Sequence, residues 1–378
     1  MTIRALSLVA ALPCALAAQP TRLLGRADVE HPGVFSSITA LRELSDGRVL
    51  LVDRRERAVH LADFQRGTVA RIGREGAGPL EISEPTTMLA LPGDTTAIWD
   101  SRNARLFLVD ASGVPTHTSR VVDDVGRAPA VALRAPRFAD DRGRLYFVGV
   151  SGEGDSTDSI AIIRWERSSG RVDTVGQLRR PERGQQAVLG PPGRQMTMNF
   201  ANPFSPQEDW VVTADGRVGV VRSPVYRLDW TFPAPSRGRE ISYVAITLTE
   251  SEKALWRRSQ RGVRPSAVRD VDARGQGAAP PVAGSVPEPT SWPSALPPFL
   301  ASGTPVLADK LGRVWVARAR AASDSVPAYD VLDARGDAAM RVTLPPQRRI
   351  VGFGRDVVYT VRTDESDRVH LSKHSLPR

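Results

Sequence analysis

A six-bladed β-propeller, an all-β fold, is what the sequence predicts, and three observations predict it. A tight turn, usually built on glycine, is followed at once by a short apolar run at residues 47–52, 93–99, 143–148, 216–221, 312–316 and 354–359. These turns lie 46, 50, 73, 96 and 42 residues apart. Three of the spacings match the roughly 40–50 residues of one four-stranded blade, and the two long ones each need one insertion. Around the runs lie further short β-branched or alternating apolar stretches, each bounded by turn chemistry.

The elements follow in order. In the first unit, residues 36–44, 48–53, 58–64 and 68–72 read as inner, second, third and outer strands, with Asp46-Gly47 in the first turn. The second unit uses 86–91, 96–100, 104–110 and 115–122, and the third uses 131–139, 144–150, 159–167 and 171–178. The fourth is looser, at 210–213, 217–222, 226–232 and 240–246, and the fifth takes 304–308, 313–320, 328–333 and 338–344. The sixth offers only 349–353, 356–362 and 369–375. The run 21–28 has no unit of its own, so it is expected to supply the missing outer strand and remove two exposed sheet edges.

Residues 1–18 have a basic start at Arg4, an apolar stretch and the small-residue pattern Ala15-Leu16-Ala17, and read as a secretory signal peptide. The propeller is then expected over 19–378, with an insertion at 247–302 between blades four and five. The only cysteine, Cys14, lies in the signal segment, so the exported chain is expected to carry no disulfide, and a periplasmic or extracellular monomer is expected. The formal charge is +9 and almost all of the basic residues are arginine, since only Lys253, Lys310 and Lys373 are lysine. The arginines are spread along the chain without a dense cluster or interleaved aromatics, which argues against nucleic acid as a partner. No later apolar run reaches membrane-spanning length.

The first unit resembles six-bladed propellers of the NHL-repeat type. The likeness is carried by Asp46-Gly47-Arg48-Val49-Leu50-Leu51-Val52-Asp53, by Arg57-Ala58-Val59-His60-Leu61-Ala62-Asp63-Phe64, and by a Gly-rich connector from Gly73 to Glu81 ending in Glu84-Pro85. Exported bacterial members often show a further glycine and an aromatic in that connector, where this chain has Leu80 and Ile82. The resemblance implies a fold. Such proteins include binding modules and many exported proteins of unassigned role, with lyases and lactonase-like hydrolases among related six-bladed rings.

The extra residues are expected on one face. In a four-stranded blade, outer-to-inner connections lie on the same side of the disc as the turns from second to third strand. The connector 73–85, the excursion 179–207 and the insertion 247–302 are of the first kind, and the loop 151–158 is of the second. Long loops on a rigid scaffold are where function usually resides. Within the insertion, Thr249 and Glu252 make a capping box, and Arg257, Arg258 and Arg261 suit a helix C-terminus, so a helix is expected over 250–261. A proline-rich flap follows, carrying Trp292 and Phe299.

Candidate ligand contacts on that face are therefore Glu75, Glu81, Asn199, Asn202, Trp292 and Phe299. Glu153, Asp155 and Asp158 are weak candidates for calcium, a hard cation that wants several oxygens; no other cofactor is expected. The connector 73–78 could cradle an anion, but it lacks the lysine and hydroxyl of a phosphate loop, and a glycine-dependent bend explains it better. His370 and His374 share a strand face without a third partner for zinc. No Gly-x-Ser-x-Gly elbow occurs. The expectation is a non-catalytic exported propeller that binds a protein, peptide or glycan. The competing one is a metal-dependent, lactonase-like hydrolase or lyase with its site at the channel mouth, although asparagine is scarce, with only Asn103, Asn199 and Asn202.

Overall fold

The computed structural model describes residues 19–120, 135–149, 158–189, 195–260, 288–289, 291–300 and 304–377. Residues 1–18 and most of 261–302 lie outside them. The chain begins with β1 (Thr21–Leu23) and β2 (Val29–Phe35). Blade one follows as β3 (Ile38–Glu43), β4 (Val49–Asp53), β5 (Ala58–Asp63) and β6 (Thr68–Ile72), and blade two as β7 (Pro85–Ala90), β8 (Thr96–Asp100), β9 (Arg105–Val109) and β10 (Pro115–Arg120). Blade three is β11 (Phe138–Ala139), β12 (Leu145–Val148), β13 (Ser159–Glu166) and β14 (Arg171–Arg179). A hairpin of β15 (Arg183–Leu189) and β16 (Gln195–Ala201) fills the excursion before blade four, which has β17 (Asp209–Val212), β18 (Val218–Arg222) and β19 (Arg227–Phe232). The insertion contains β20 (Ile246–Thr247), α1 (Glu250–Gln260) and β21 (Ala295–Leu296), with β20 and β21 paired. Blade five is β22 (Val306–Ala308), β23 (Val314–Ala317), β24 (Ala328–Leu332) and β25 (Ala338–Thr343); blade six is β26 (Arg348–Phe353), β27 (Val357–Thr363) and β28 (Val369–Ser375).

The six apolar runs are the second strands. Every residue of β4 and of β8 is buried, because a second strand is packed on both faces by the adjacent blades. That two-sided burial replaces the usual alternation with an unbroken apolar run. Between the blades lie apolar cores, for example Val59, Ile72, Ile98 and Phe107 between blades one and two, and Trp315, Tyr329, Ile350 and Val358 between blades five and six. Leu51, Tyr359 and Leu371 join blade six to blade one and close the ring. The glycines ahead of the runs supply left-handed backbone, as at Gly143 (φ 74°) and Gly312 (φ 76°).

An N-terminal strand does complete blade six, but it is β2, antiparallel to β28, rather than residues 21–28. β1 instead runs parallel to β25 on blade five. Pro32-Gly33 masks β2 in the sequence. It is tolerated because the register shifts between Glu30 and Val34 on an outer edge, where a proline leaves no ladder bond unmade. In blade four no outer strand forms at 240–246. Phe232-Pro233-Ala234-Pro235 turns the chain back with two residues that lack an amide donor, leaving only a bridge from Trp230 to Ser236 and the Ile241 amide on the Tyr226 carbonyl at 2.7 Å.

Candidate functional site

The six inner strands enclose an axial cavity of about 1360 Å³. One end is bordered by α1, through Leu255, Trp256 and Gln260, and by Pro203, Phe204 and Gln207 of the excursion before blade four. Two of the elaborated connections therefore meet at one mouth.

Local chemistry sets α1 in place. The Glu252 carboxylate accepts the Thr249 amide at 2.8 Å and is also hydrogen-bonded to the Thr249 hydroxyl, which is the acidic half of a capping box. Its other oxygen accepts the Ala322 amide of blade five at 2.8 Å, so one buried side chain both starts the helix and ties it to the ring. The Ala322 amide, followed by the Thr249 bonds, holds the Glu252 carboxyl down to about 2. On the side of the flap, Trp256 meets Trp292 edge to face with centroids 5.3 Å apart, and Trp292 lies 6.0 Å from Phe204.

The cavity wall is rich in arginine, and its arginines fall into two kinds. Arg137 forks onto Asp209, with Nη2 to Oδ2 at 2.8 Å, and Arg318 reaches the buried Asp330 at 2.7 Å. Arg348 donates to Ser372 Oγ at 2.7 Å and lies 3.5 Å from Glu30. Arg349, Arg320 and Arg54 have no carboxylate partner among the described residues. Arg349 donates to the Ile38 carbonyl at 2.5 Å, and Arg320 to the Asp324 carbonyl at 3.1 Å. Desolvation within the ring pulls the Arg349 guanidinium below its ordinary value, against a smaller opposing pull from the Tyr329 phenol.

The residues singled out in the sequence are placed in separate settings. Glu75 is exposed on the connector and does not line the cavity. Glu81 folds back into its own loop, accepting the Gly78 amide at 2.8 Å, while Arg105 holds the Ala77, Gly78 and Glu81 carbonyls. Asn199 lies on β16, and Asn202 follows it, its carbonyl accepting the Ser205 amide at 3.2 Å. Trp292 is half-buried against α1. Phe299 is sealed in the core between blades four and five, 6.3 Å from Tyr226, and faces no opening. Glu153 and Asp155 lie outside the described residues, and Asp158 is exposed. On β28, His370 bonds Asp364 at 2.9 Å while His374 is buried against Thr360, so the two rings serve separate partners. Among the described residues no three of His, Cys, Asp and Glu gather as a metal set, and no helix is long and apolar enough to cross a membrane.

Arg349, Arg320, Arg54 and Gln260 are the features of the mouth that sequence reasoning missed. The even scatter of arginine hid them, because the three cations come from different blades and meet only when the ring closes.

No family model matches the chain, and no curated protein does. Solved structures are similar to it along nearly their whole length. A calcium-binding protein, regucalcin, from Agrobacterium tumefaciens is 13% identical, with 95% of this chain and 97% of that one covered and a TM-score of 0.42. A gluconolactonase from Xanthomonas campestris is 10% identical over 92% and 91% of the two chains, with a TM-score of 0.44. A Bacteroides fragilis protein described as exported is 10% identical over 94% of each, with a TM-score of 0.48. Likeness this distant leaves their activities with those proteins.

Proposed function

We propose that this chain is an exported binding propeller that takes up a peptide, a protein segment or a glycan at the mouth of its axial cavity. One observation carries the reading: a cavity of about 1360 Å³ opens where α1 and the excursion before blade four converge, with Leu255 and Gln260 on its border. A concave site on a rigid ring, bordered by loops that vary independently of the scaffold, is how propeller-like folds accommodate a partner. Leu255 is 47% exposed although it is a large apolar residue, which suits a surface that is covered in use.

The test is a screen of the purified protein against arrays of acidic, neutral and basic peptides and oligosaccharides, with retained ligands titrated in solution. The double substitution Leu255→Glu with Gln260→Glu is expected to weaken a true ligand by about tenfold or more, since it places charge on the border of the mouth without touching the anchor Glu252. Ligands indifferent to that pair, or an empty screen, would overturn the proposal. Melting curves with calcium, zinc and manganese belong to the same experiment. A specific rise with one of them would transfer the reading to a metal-dependent hydrolase or lyase.

A further inference from the structure

We infer that the α1 end of the cavity is an anion site, which takes an organic ligand bearing two or more carboxylate or phosphate groups; the inference rests on the binding role proposed above. Three guanidinium groups lie around one arc of the wall. Arg349, at the start of β26, reaches across to blade one and meets the Ile38 carbonyl. The Arg54 amide donates to Ser37, the residue before Ile38, at 2.9 Å, so the Arg54 side chain leaves the backbone beside the point that Arg349 reaches. Arg320 and Arg349 both bear electrostatically on the Tyr329 phenol, whose oxygen accepts the Ile350 amide at 3.2 Å. Blades five, six and one thus contribute one free cation each to a continuous stretch of wall.

Their charge has no internal counterpart. The neighbouring acid Asp53 spends its carboxylate on the amides of Ser36, Ser37, Arg55 and Glu56. Asp324 accepts the Val326 amide at 2.9 Å and forms no ion pair among the described residues. Glu252 is committed to Thr249 and Ala322. All three side chains are exposed and so open to a ligand, and the planar fork of arginine matches carboxylate and phosphate oxygens. The spread of the three groups over three blades, in a cavity larger than most small-molecule sites of about 300–1000 Å³, suits a ligand with several charges better than a single inorganic ion.

The experiment is calorimetric titration of the whole exported chain with trigalacturonate, inositol hexakisphosphate, inorganic phosphate and neutral maltotriose. One organic polyanion is expected to bind, and which one it is separates carboxylate from phosphate. Its affinity should fall with added salt, inorganic phosphate should be weaker by about tenfold or more, and maltotriose should give no heat. Arg349→Gln should weaken binding by about tenfold, and Arg349→Lys by less, because it keeps the charge and loses the fork. Arg320→Gln and Arg54→Gln should each cost about threefold to tenfold. Arg66→Gln, an exposed arginine in the turn between β5 and β6, should change nothing, and melting curves verify that each variant is folded. The inference is overturned if neither polyanion binds, or if Arg66→Gln weakens binding as much as Arg349→Gln. In the first case the two proposals remain separable: neutral or basic ligands from the array that depend on Leu255 and Gln260 would keep the binding role and remove only the anionic class.

Discussion

Four turn arginines at one end of the ring are each paired with an acid of their own loop, whereas at the α1 end some arginines are paired and three are not. In these turns, between first and second strands, arginine is neutralised within its own loop. Arg144 Nε lies 2.6 Å from Asp140 and Arg313 Nε 2.7 Å from Asp309, four residues back in each case, while the same aspartates accept the amides of Arg142 and Arg144 or of Leu311 and Arg313. The buried aromatic of the following strand joins in, through Tyr146 Oη to Asp140 at 2.7 Å and Trp315 Nε1 to Asp309 at 2.9 Å. At the α1 end, Arg54, Arg320 and Arg349 have no such acid, even though Asp53 adjoins Arg54 in the chain. The contrast teaches that charge count along a propeller says little about ligand chemistry. What matters is whether the local turn has already consumed the cation.

The largest effect that would sharpen this contrast is expected from Arg313→Met. Asp309 is fully buried, and losing its cation leaves a charge in the core between hydrogen bonds that do not neutralise it. A loss of about 3–5 kcal/mol is expected in urea unfolding. A loss under about 1 kcal/mol, the ordinary value of an exposed pair, would break the distinction. Next comes Gly216→Ala. Gly216 has φ +87°, and a Cβ there would approach Arg144 Nη2 to 2.5 Å and Asp140 Oδ2 to 2.8 Å, so the turn of blade four presses on the Asp–Arg pair of blade three. About 1–3 kcal/mol of destabilisation is expected, with the same unfolding measurement deciding it.

These turns explain why so much of the ring was legible. At Gly47, Gly143, Gly216 and Gly312 the Gly-Arg pair ahead of the apolar run reports left-handed backbone, a neutralised cation and a buried strand at once, and all three are local. The helix was legible for the same reason, since Thr249 and Glu252 satisfy each other three residues apart. Prolines defeated the reading at two edges. Pro32 disguised a closing strand that bulges around it, and Pro233 with Pro235 removed an outer strand that the apolar pattern of 240–246 suggested. The mouth was least legible. Glu75 and Glu81 sit in the most conspicuous loop of the sequence, but that loop is folded around Arg105 and its own glycines. Arg349 and Arg54 are ordinary arginines until Ile38 is brought between them.

The anchor of α1 offers a pH-dependent test of the mouth. The Glu252 carboxyl is lowered from its ordinary 4.5 to about 2 in the folded chain, first by the Ala322 amide and then by Thr249. Because the folded value is the lower one, the stabilisation is complete above pH 4.5 and fades as the pH falls towards 2. Helix detachment, followed by tryptophan fluorescence from Trp256 and Trp292, should therefore rise in that window. Glu252→Gln should flatten the response and cost the helix about 1 kcal/mol at neutral pH. A response that persists in the variant would assign the change to another group.

The smallest effect is the most telling for the comparison. Arg349→Met removes an exposed cation whose only described hydrogen-bond partner is the Ile38 carbonyl, and it leaves an apolar chain in its place. The side chain is exposed and forms no ion pair among the described residues, so unfolding free energy is expected to move by no more than about 0.5 kcal/mol in either direction. The same exchange at Arg313 costs several times more. A large loss at Arg349 would mean that its charge supports the ring, and the two ends of the molecule would then use arginine alike. Near-equal stability with impaired polyanion binding would mean that the residue is held for a ligand, against no gain to the fold.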